Sequence, residues 1–247
     1  MGVPKNHLSN KSVCYLVGAG EDISFDCEIA KRYKSNVYII DPTERARQHF
    51  KNFGENALGA KVNKNIYSID KDFFNRLKYL PCGVAGKTEI RKFYEPKNPD
   101  HVSCSIVNLQ NTKKYFKAKC FKLSDLMKKR GHKKIDLLKI DIEGAEYEVV
   151  DSIVEDGIAI DVICVEYDEL HNPIDKGYKK RIKKSASSLI KNDYQLVSVD
   201  SLSNYTFVKN SLDTEGLGIL GMISATFRQG KNLLLVLNNQ VKERSTQ

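Results

Sequence analysis

The sequence predicts an α/β fold, an open and mostly parallel sheet covered by helices. Three observations lead there. Short apolar runs alternate with amphipathic helical stretches along most of the 247 residues, which is the pattern of βαβ units. A glycine turn, Gly18-Ala19-Gly20, follows the first run and opens the first helical stretch. Three runs end in a carboxylate, at Asp41, Asp141 and Glu166, and an open α/β sheet gathers its ligand groups at the carboxyl ends of its strands.

The central stretch is 135–150. Its first part, 135–140, is apolar except for Asp136 and Lys139 and reads as a buried parallel strand. Asp141, Glu143, Glu146 and Glu148 follow, with Gly144 among them, and the remainder has helical spacing. Acids at a helix start also serve the helix dipole from solvent. For Glu146 and Glu148 both readings stand. Asp141 and Glu143 sit at the strand end and read as functional.

Composition sets the outer limits. Charged residues make up 29% and hydrophobic ones 41%, as in a globular chain with room for a substantial core. The six cysteines, Cys14, Cys27, Cys82, Cys104, Cys120 and Cys164, form no C-x-x-C pair, so neither zinc nor a dithiol redox centre is signalled. Several lie in apolar runs, which suits reduced thiols and a cytoplasmic location. No apolar segment follows Lys5 and Lys11 as in a signal peptide, and no stretch has the ~20 apolar residues of a membrane span. The net charge of +9 favours anionic partners. The lysines are scattered without interleaved aromatics, however, so a nucleic-acid partner is not expected.

The remaining elements follow in order. Residues 12–17 read as a first strand, 21–34 as a helix with Ile23, Cys27, Ala30 and Tyr33 on one face, and 37–40 as a second strand. Pro42 precedes a helix over 44–53. A third strand is expected near 66–69, a short helix over 72–79, and one or two strands within 82–94. Residues 95–112 read as a loop carrying His101, Ser103 and Ser105; such polar loops often bear substrate chemistry. A strand over 116–123 leads to a helix capped by Ser124-Asp125 and ending at Arg130. Residues 158–165 form a fifth strand, with His171 just beyond its acidic end. An amphipathic basic helix spans 178–191, and 194–199 pairs antiparallel with 205–208. Residues 1–210 are expected to form one domain. The apolar, glycine-punctuated 211–247 is an appendage that could dock on the domain, a second copy, a partner or a membrane surface.

The strand–glycine turn–helix–strand–acid order is a nucleotide-type βαβ unit. Its glycines allow close backbone approach, and an acid some 20 residues on can take two ribose hydroxyls. Gly-Ala-Gly falls short of the full dinucleotide fingerprint, and the same arrangement also serves S-adenosylmethionine.

The run Lys139-Ile-Asp141-Ile-Glu143-Gly144-Ala-Glu146 resembles the signature of FkbM-type methyltransferases. The 17–26 run, Asp41-Pro42-Thr43, the 93–108 segment and the 194–207 ending resemble a subgroup of that family. The resemblance covers about 12–209. It implies a class I methyltransferase fold, a seven-stranded mostly parallel sheet with one antiparallel strand. It also implies S-adenosylmethionine as cofactor and O-methylation of a hydroxyl, on a sugar, glycan or secondary metabolite. It carries Gly18, Gly20 and Asp41 to the cofactor, and Asp141 and Glu143 to the methyl-transfer end. Glu21-Asp22 departs from the commoner form of the first motif. These two and Thr43 complete the cofactor-binding candidates.

A hydroxyl acceptor needs a base, and the candidates are Asp141, Glu143, His101 and His171. A divalent ion such as Mg²⁺, held by Asp141, Glu143 and Glu166, is a second possibility. Two other classes stay open at this point, an NAD-dependent oxidoreductase and a non-catalytic interaction domain on the same fold.

Overall fold

The computed structural model describes residues 3, 7–55, 61–62, 65–66, 71–98, 103–108, 110–171, 173–200 and 203–212. The chain runs β1 (Val13–Val17), α1 (Ser24–Tyr33), β2 (Asn36–Ile40), α2 (Glu44–Glu55), β3 (Lys61–Val62), β4 (Asn65–Ile66), α3 (Lys71–Phe74), β5 (Leu77–Leu80), β6 (Gly83–Val84) and β7 (Glu89–Tyr94). It continues through β8 (Tyr115–Phe121), α4 (Leu123–Arg130), β9 (Ile135–Ile140), α5 (Glu146–Glu155), β10 (Ile160–Glu166), a 3₁₀ turn at Asp168–Leu170, α6 (Tyr178–Lys191), β11 (Tyr194–Asp200) and β12 (Asn204–Lys209).

Seven strands form the main sheet in the order β11-β12-β10-β9-β1-β2-β5. Neighbours from β10 to β5 pair in parallel, and β12 is antiparallel to both β10 and β11. This is the seven-stranded, mostly parallel sheet with one antiparallel strand that the sequence resemblance implies. The central strands are apolar on consecutive residues because both faces are covered. Leu138, Ile140, Ile163 and Val165 pack on one face with Leu126 of α4, Val149, Val150 and Ile153 of α5, and Ile182, Ala186 and Leu189 of α6. Cys14, Leu16, Leu137, Val162 and Cys164 pack on the other, with Ile23, Cys27, Ile29 and Ala30 in and beside α1 and Phe53 of α2. Strand order reverses between β1 and β9, so the loops beyond Val17 and Ile140 diverge and leave a crevice. A smaller sheet, β6-β8-β7, stands beside that crevice.

The structure corrects two expectations and leaves most of a third outside the described residues. The helix over 72–79 shortens to α3, because Leu77 and Leu80 are buried as the sheet's edge strand, in register with Val37 and Ile40. The Arg76 N–H bonds the Phe73 carbonyl and closes the helical turn before it. Of the strand expected near 66–69, Ile66 is described, in Asn65–Ile66 paired antiparallel with Lys61–Val62; 67–70 lie outside the described residues. Ser124 and Asp125 do not cap α4, whose extended preceding residue is Lys122. Ser124 donates instead to Asp156 at 2.5 Å, and Asp125 accepts from Thr88. Leu212 packs against the second core. The rest of the appendage, 213–247, lies outside the described residues. No helix among the described residues is long and apolar enough to cross a membrane.

Candidate active site

A cleft of about 560 Å³ opens at the carboxyl ends of β1, β2 and β9. Its floor is the glycine turn. Gly18 has φ +87°, and a Cβ there would lie 1.6 Å from the Asp141 carbonyl oxygen. Only glycine lets β1 and β9 close to this distance while the turn keeps its left-handed backbone. Gly20 is also left-handed, at φ +53°.

Asp41 fastens that turn. Its Oδ2 accepts from the Ala19 and Gly20 N–H groups at 2.9 and 3.1 Å. Its Oδ1 accepts from the Thr43 N–H and hydroxyl at 2.8 and 2.6 Å. A carboxylate offers about four acceptor positions, so the chain itself fills them. The Thr43 hydroxyl also accepts from the Ala46 N–H at 3.2 Å, as the cap of α2. Glu21 pairs with Arg45 at 3.2 Å, and Asp22 Oδ1 accepts from the Ser24 N–H at 2.8 Å. All six expected cofactor-binding residues line this one cleft.

Past β9 the chain turns through Asp141, Glu143 and Gly144. Lys139 donates to Asp141 Oδ2 at 2.7 Å and to the Gly18 carbonyl at 3.3 Å. Burial pulls this lysine down, but the carboxylates of Asp141 and Asp26 outweigh it and hold the ammonium above its ordinary range. Glu143 has φ +51°, a conformation that costs a non-glycine residue roughly 1 kcal/mol or more and gathers at functional sites. Its backbone is held from three sides. The Glu143 N–H donates to Asp168 Oδ2 at 2.9 Å. The Gly144 N–H donates to Glu146 Oε1 at 2.8 Å. The Ser105 hydroxyl donates to the Glu143 carbonyl.

Glu146 is therefore a turn clamp, only 1% exposed, and the reading of it as a solvated acid fails. Burial raises Glu146 and, more strongly, Asp168, which also repel each other. The 3₁₀ turn bearing Asp168 is anchored by the buried Glu169, which accepts from Tyr147 at 2.7 Å and pairs with Arg181 of α6. Burial also raises the Glu143 side chain, against a hydrogen bond from Ser103 that lowers it.

A second cleft of about 410 Å³ adjoins the first, and Glu143 and Ser103 line both. Its other walls include Ser105, Asn108, Gln110, Thr112 and His171. The structure thus brings together Asp141, Glu143 and His171 around the two clefts; His101 lies outside the described residues. The expected triad for a divalent ion does not assemble. Asp141 is committed to Lys139, Glu166 accepts from Ser203 at 3.2 Å, and no three His, Cys, Asp or Glu among the described residues form a metal-holding group. Sequence reasoning passed over Lys139, Asp168 and Asp26 as site residues. The available signal for Lys139 was a lone cation inside an apolar strand.

The Methyltransferase FkbM domain matches residues 17–206. The chain belongs to the FkbM methyltransferase family. It is an S-adenosylmethionine-dependent methyltransferase, which sets aside the oxidoreductase reading. Among curated proteins nothing matches. Among solved structures, similarity extends to the Methanococcus jannaschii fibrillarin pre-rRNA processing protein, at 11% identity over 86% of this chain and 71% of that one, TM-score 0.46. The N-terminal domain of human METTL16 in complex with SAH is 12% identical over 82% of this chain and 62% of that one, TM-score 0.40. M. jannaschii TYW2 in complex with AdoMet is 14% identical over 82% and 71%, TM-score 0.33. In this FkbM domain the signature run is explained by the turn it builds. Lys139 neutralises Asp141, Gly144 takes φ +104°, and Glu146 holds the Gly144 N–H.

Proposed function

We propose that this methyltransferase acts on a hydroxyl of a polyhydroxylated acceptor, a sugar, glycan or secondary metabolite. The carrying observation is that a polar second cleft meets the glycine-floored first cleft at Glu143. Serine, threonine, asparagine and glutamine groups can match the hydroxyls of such an acceptor in both donor and acceptor senses.

The first cleft fits S-adenosylmethionine. The turn is left-handed at both Gly18 and Gly20, and Asp41 keeps its shape. Gly18, Gly20, Glu21 and Asp22 are the residues that would hold it, on a turn that Asp41 and Thr43 keep in shape. When bound, the cofactor supplies a methyl already activated on a sulfonium.

The chain's own work is then to align the acceptor and remove its proton. Holding the reacting atoms in line is worth up to ~7–11 kcal/mol in ideal cases. Glu143 is the base we assign, because burial moves its carboxylate toward neutral pH, where a base works best. Asp141 is the weaker choice, since Lys139 already occupies its Oδ2 at 2.7 Å. His171 stands on the acceptor side and can relay the proton to solvent.

The test is formation of S-adenosylhomocysteine against free and nucleotide-linked sugars, with wild type and Glu143→Gln. The variant is expected to lose ~10²- to 10⁴-fold in kcat while keeping its S-adenosylhomocysteine affinity. Undiminished turnover would remove Glu143 as base. Turnover on amines alone would end the O-methylation reading.

A further inference from the structure

Asp26 carries a function that none of the features above absorbs. It sits in the first turn of α1 and is only 4% exposed, yet it lines the first cleft. Its Oδ1 is buried with no hydrogen-bond partner. An unpaired buried carboxylate oxygen is costly, and folded chains keep one only when something else repays it. The nearby lysine does not provide that. Lys139 is committed to Asp141 and the Gly18 carbonyl. The strand ends point the same way. β2, β9 and β10 finish in carboxylates, but β1 runs from Val17 directly into Gly18. The cleft therefore has no acid at the end of β1, and α1 supplies one from the next element.

We infer that Asp26 is the receptor for the α-ammonium of the cofactor's methionine end, whose three N–H donors would satisfy the orphaned oxygen. The inference rests on the cofactor reading of this cleft. It adds the position at which an amino-acid head group is recognised, on a helix rather than at a strand end. Burial raises Asp26 from the ordinary carboxylate value to about 7, with Asp22 and Asp141 adding to the rise and Lys139 opposing it. The Cys14 and Cys27 thiols, which also face it, stay neutral because burial raises both. The free protein thus holds a proton on Asp26 below neutral pH, and an arriving ammonium displaces it.

The experiment is calorimetric titration of wild type and Asp26→Asn with two ligands, S-adenosylhomocysteine and 5′-methylthioadenosine. The second ligand lacks the amino-acid end. For the variant we expect S-adenosylhomocysteine affinity to fall roughly 10- to 100-fold, the worth of one charge-assisted hydrogen bond. Methylthioadenosine affinity should stay level. In wild type, titrations at about pH 6 in buffers of different ionisation enthalpy should show release of close to one proton with S-adenosylhomocysteine, and none with methylthioadenosine. Unchanged S-adenosylhomocysteine affinity in the variant, or no proton release in wild type, overturns the assignment and leaves the cofactor site standing. Equal weakening of both ligands overturns it as well, since the residue would then only shape the cleft. Failure of wild type to bind either ligand overturns the cofactor reading and this inference together.

Discussion

At the scale of single residues, the site is governed by a few positions where no other side chain serves. Gly18 is one. Its φ of +87° and the 1.6 Å approach of a Cβ to the Asp141 carbonyl leave alanine no position without moving β1 or β9. Gly18→Ala is expected to cost more than ~2 kcal/mol, as strained and overpacked core sites do, and to abolish S-adenosylhomocysteine binding. Urea unfolding and ligand titration check both, and an unchanged midpoint would contradict the close approach. Glu143 is another. It occupies a left-handed backbone position that glycine would fill at less cost, so its carboxylate is kept against a local strain. Asp168 explains how the strain persists, because its buried carboxyl accepts from the Glu143 N–H.

At the scale of elements, the site is assembled from strand ends and the first turns of helices. α2 begins at the cleft. Thr43 both caps it and donates to Asp41, which in turn fastens the glycine turn. Thr43→Ala is expected to cost about 1 kcal/mol, the usual worth of such a cap, and to weaken S-adenosylhomocysteine binding several-fold by loosening Asp41. Thermal unfolding and titration of the same variant separate the two effects. A stability loss with affinity unchanged would show that the cap and the glycine turn are independent. On the other side, β10 leads into the 3₁₀ turn that carries Asp168. Glu169 ties that turn to Tyr147 of α5 and Arg181 of α6. The loop from Ser103 to Asn108 is stitched to β7 by the Tyr94–Ser105 pair of backbone bonds, at 2.8 and 3.1 Å. It brings Ser103 to the Glu143 side chain and Ser105 to the Glu143 backbone.

At the scale of the whole molecule, stability depends on pH through the buried acids. Asp26 ionises near 4 in the unfolded chain and near 7 in the folded one. Between those values the folded state holds the extra proton, so stability falls as pH rises through that window and is flat above it for this group. Glu146 and Asp168 are raised too and act with the same sign. The basic surface acts in the opposite sense. A chain of net charge +9 loses self-repulsion as pH rises. We expect the buried acids to win, because low dielectric strengthens their contribution and salt screens surface charge. The urea midpoint should therefore drop between about pH 5 and about pH 8, by an amount on the order of a few kcal/mol in stability. Asp26→Asn should flatten part of that slope, and a midpoint that rises with pH in wild type would refute the raised values.

Much of this protein was legible in its residues. Short, mostly apolar runs such as 135–140 and 158–165, each followed by an acid, read as strands buried on both faces. Gly18-Ala19-Gly20 and the acids at Asp41, Asp141 and Glu166 marked the ligand end of the sheet, and the signature run named the family. Residues 77–80 escaped because their short apolar pattern suits a helix as well as a strand, and only pairing with β2 decided it. For Glu146 the residues left a solvated acid and a functional one equally open, because its neighbours in sequence are acids. Its burial depends on Asp168, 22 positions further on, which folding brings against it. Asp26 is likewise ordinary on one face of a helix until β9 lays Lys139 and Asp141 beside it. Local chemistry and periodicity, which the chain carries along its length, determined the elements and the family. Which carboxylates became clamps, ion-pair partners or receptors was decided by burial and by contacts between distant segments, and those exist only once the sheet has assembled.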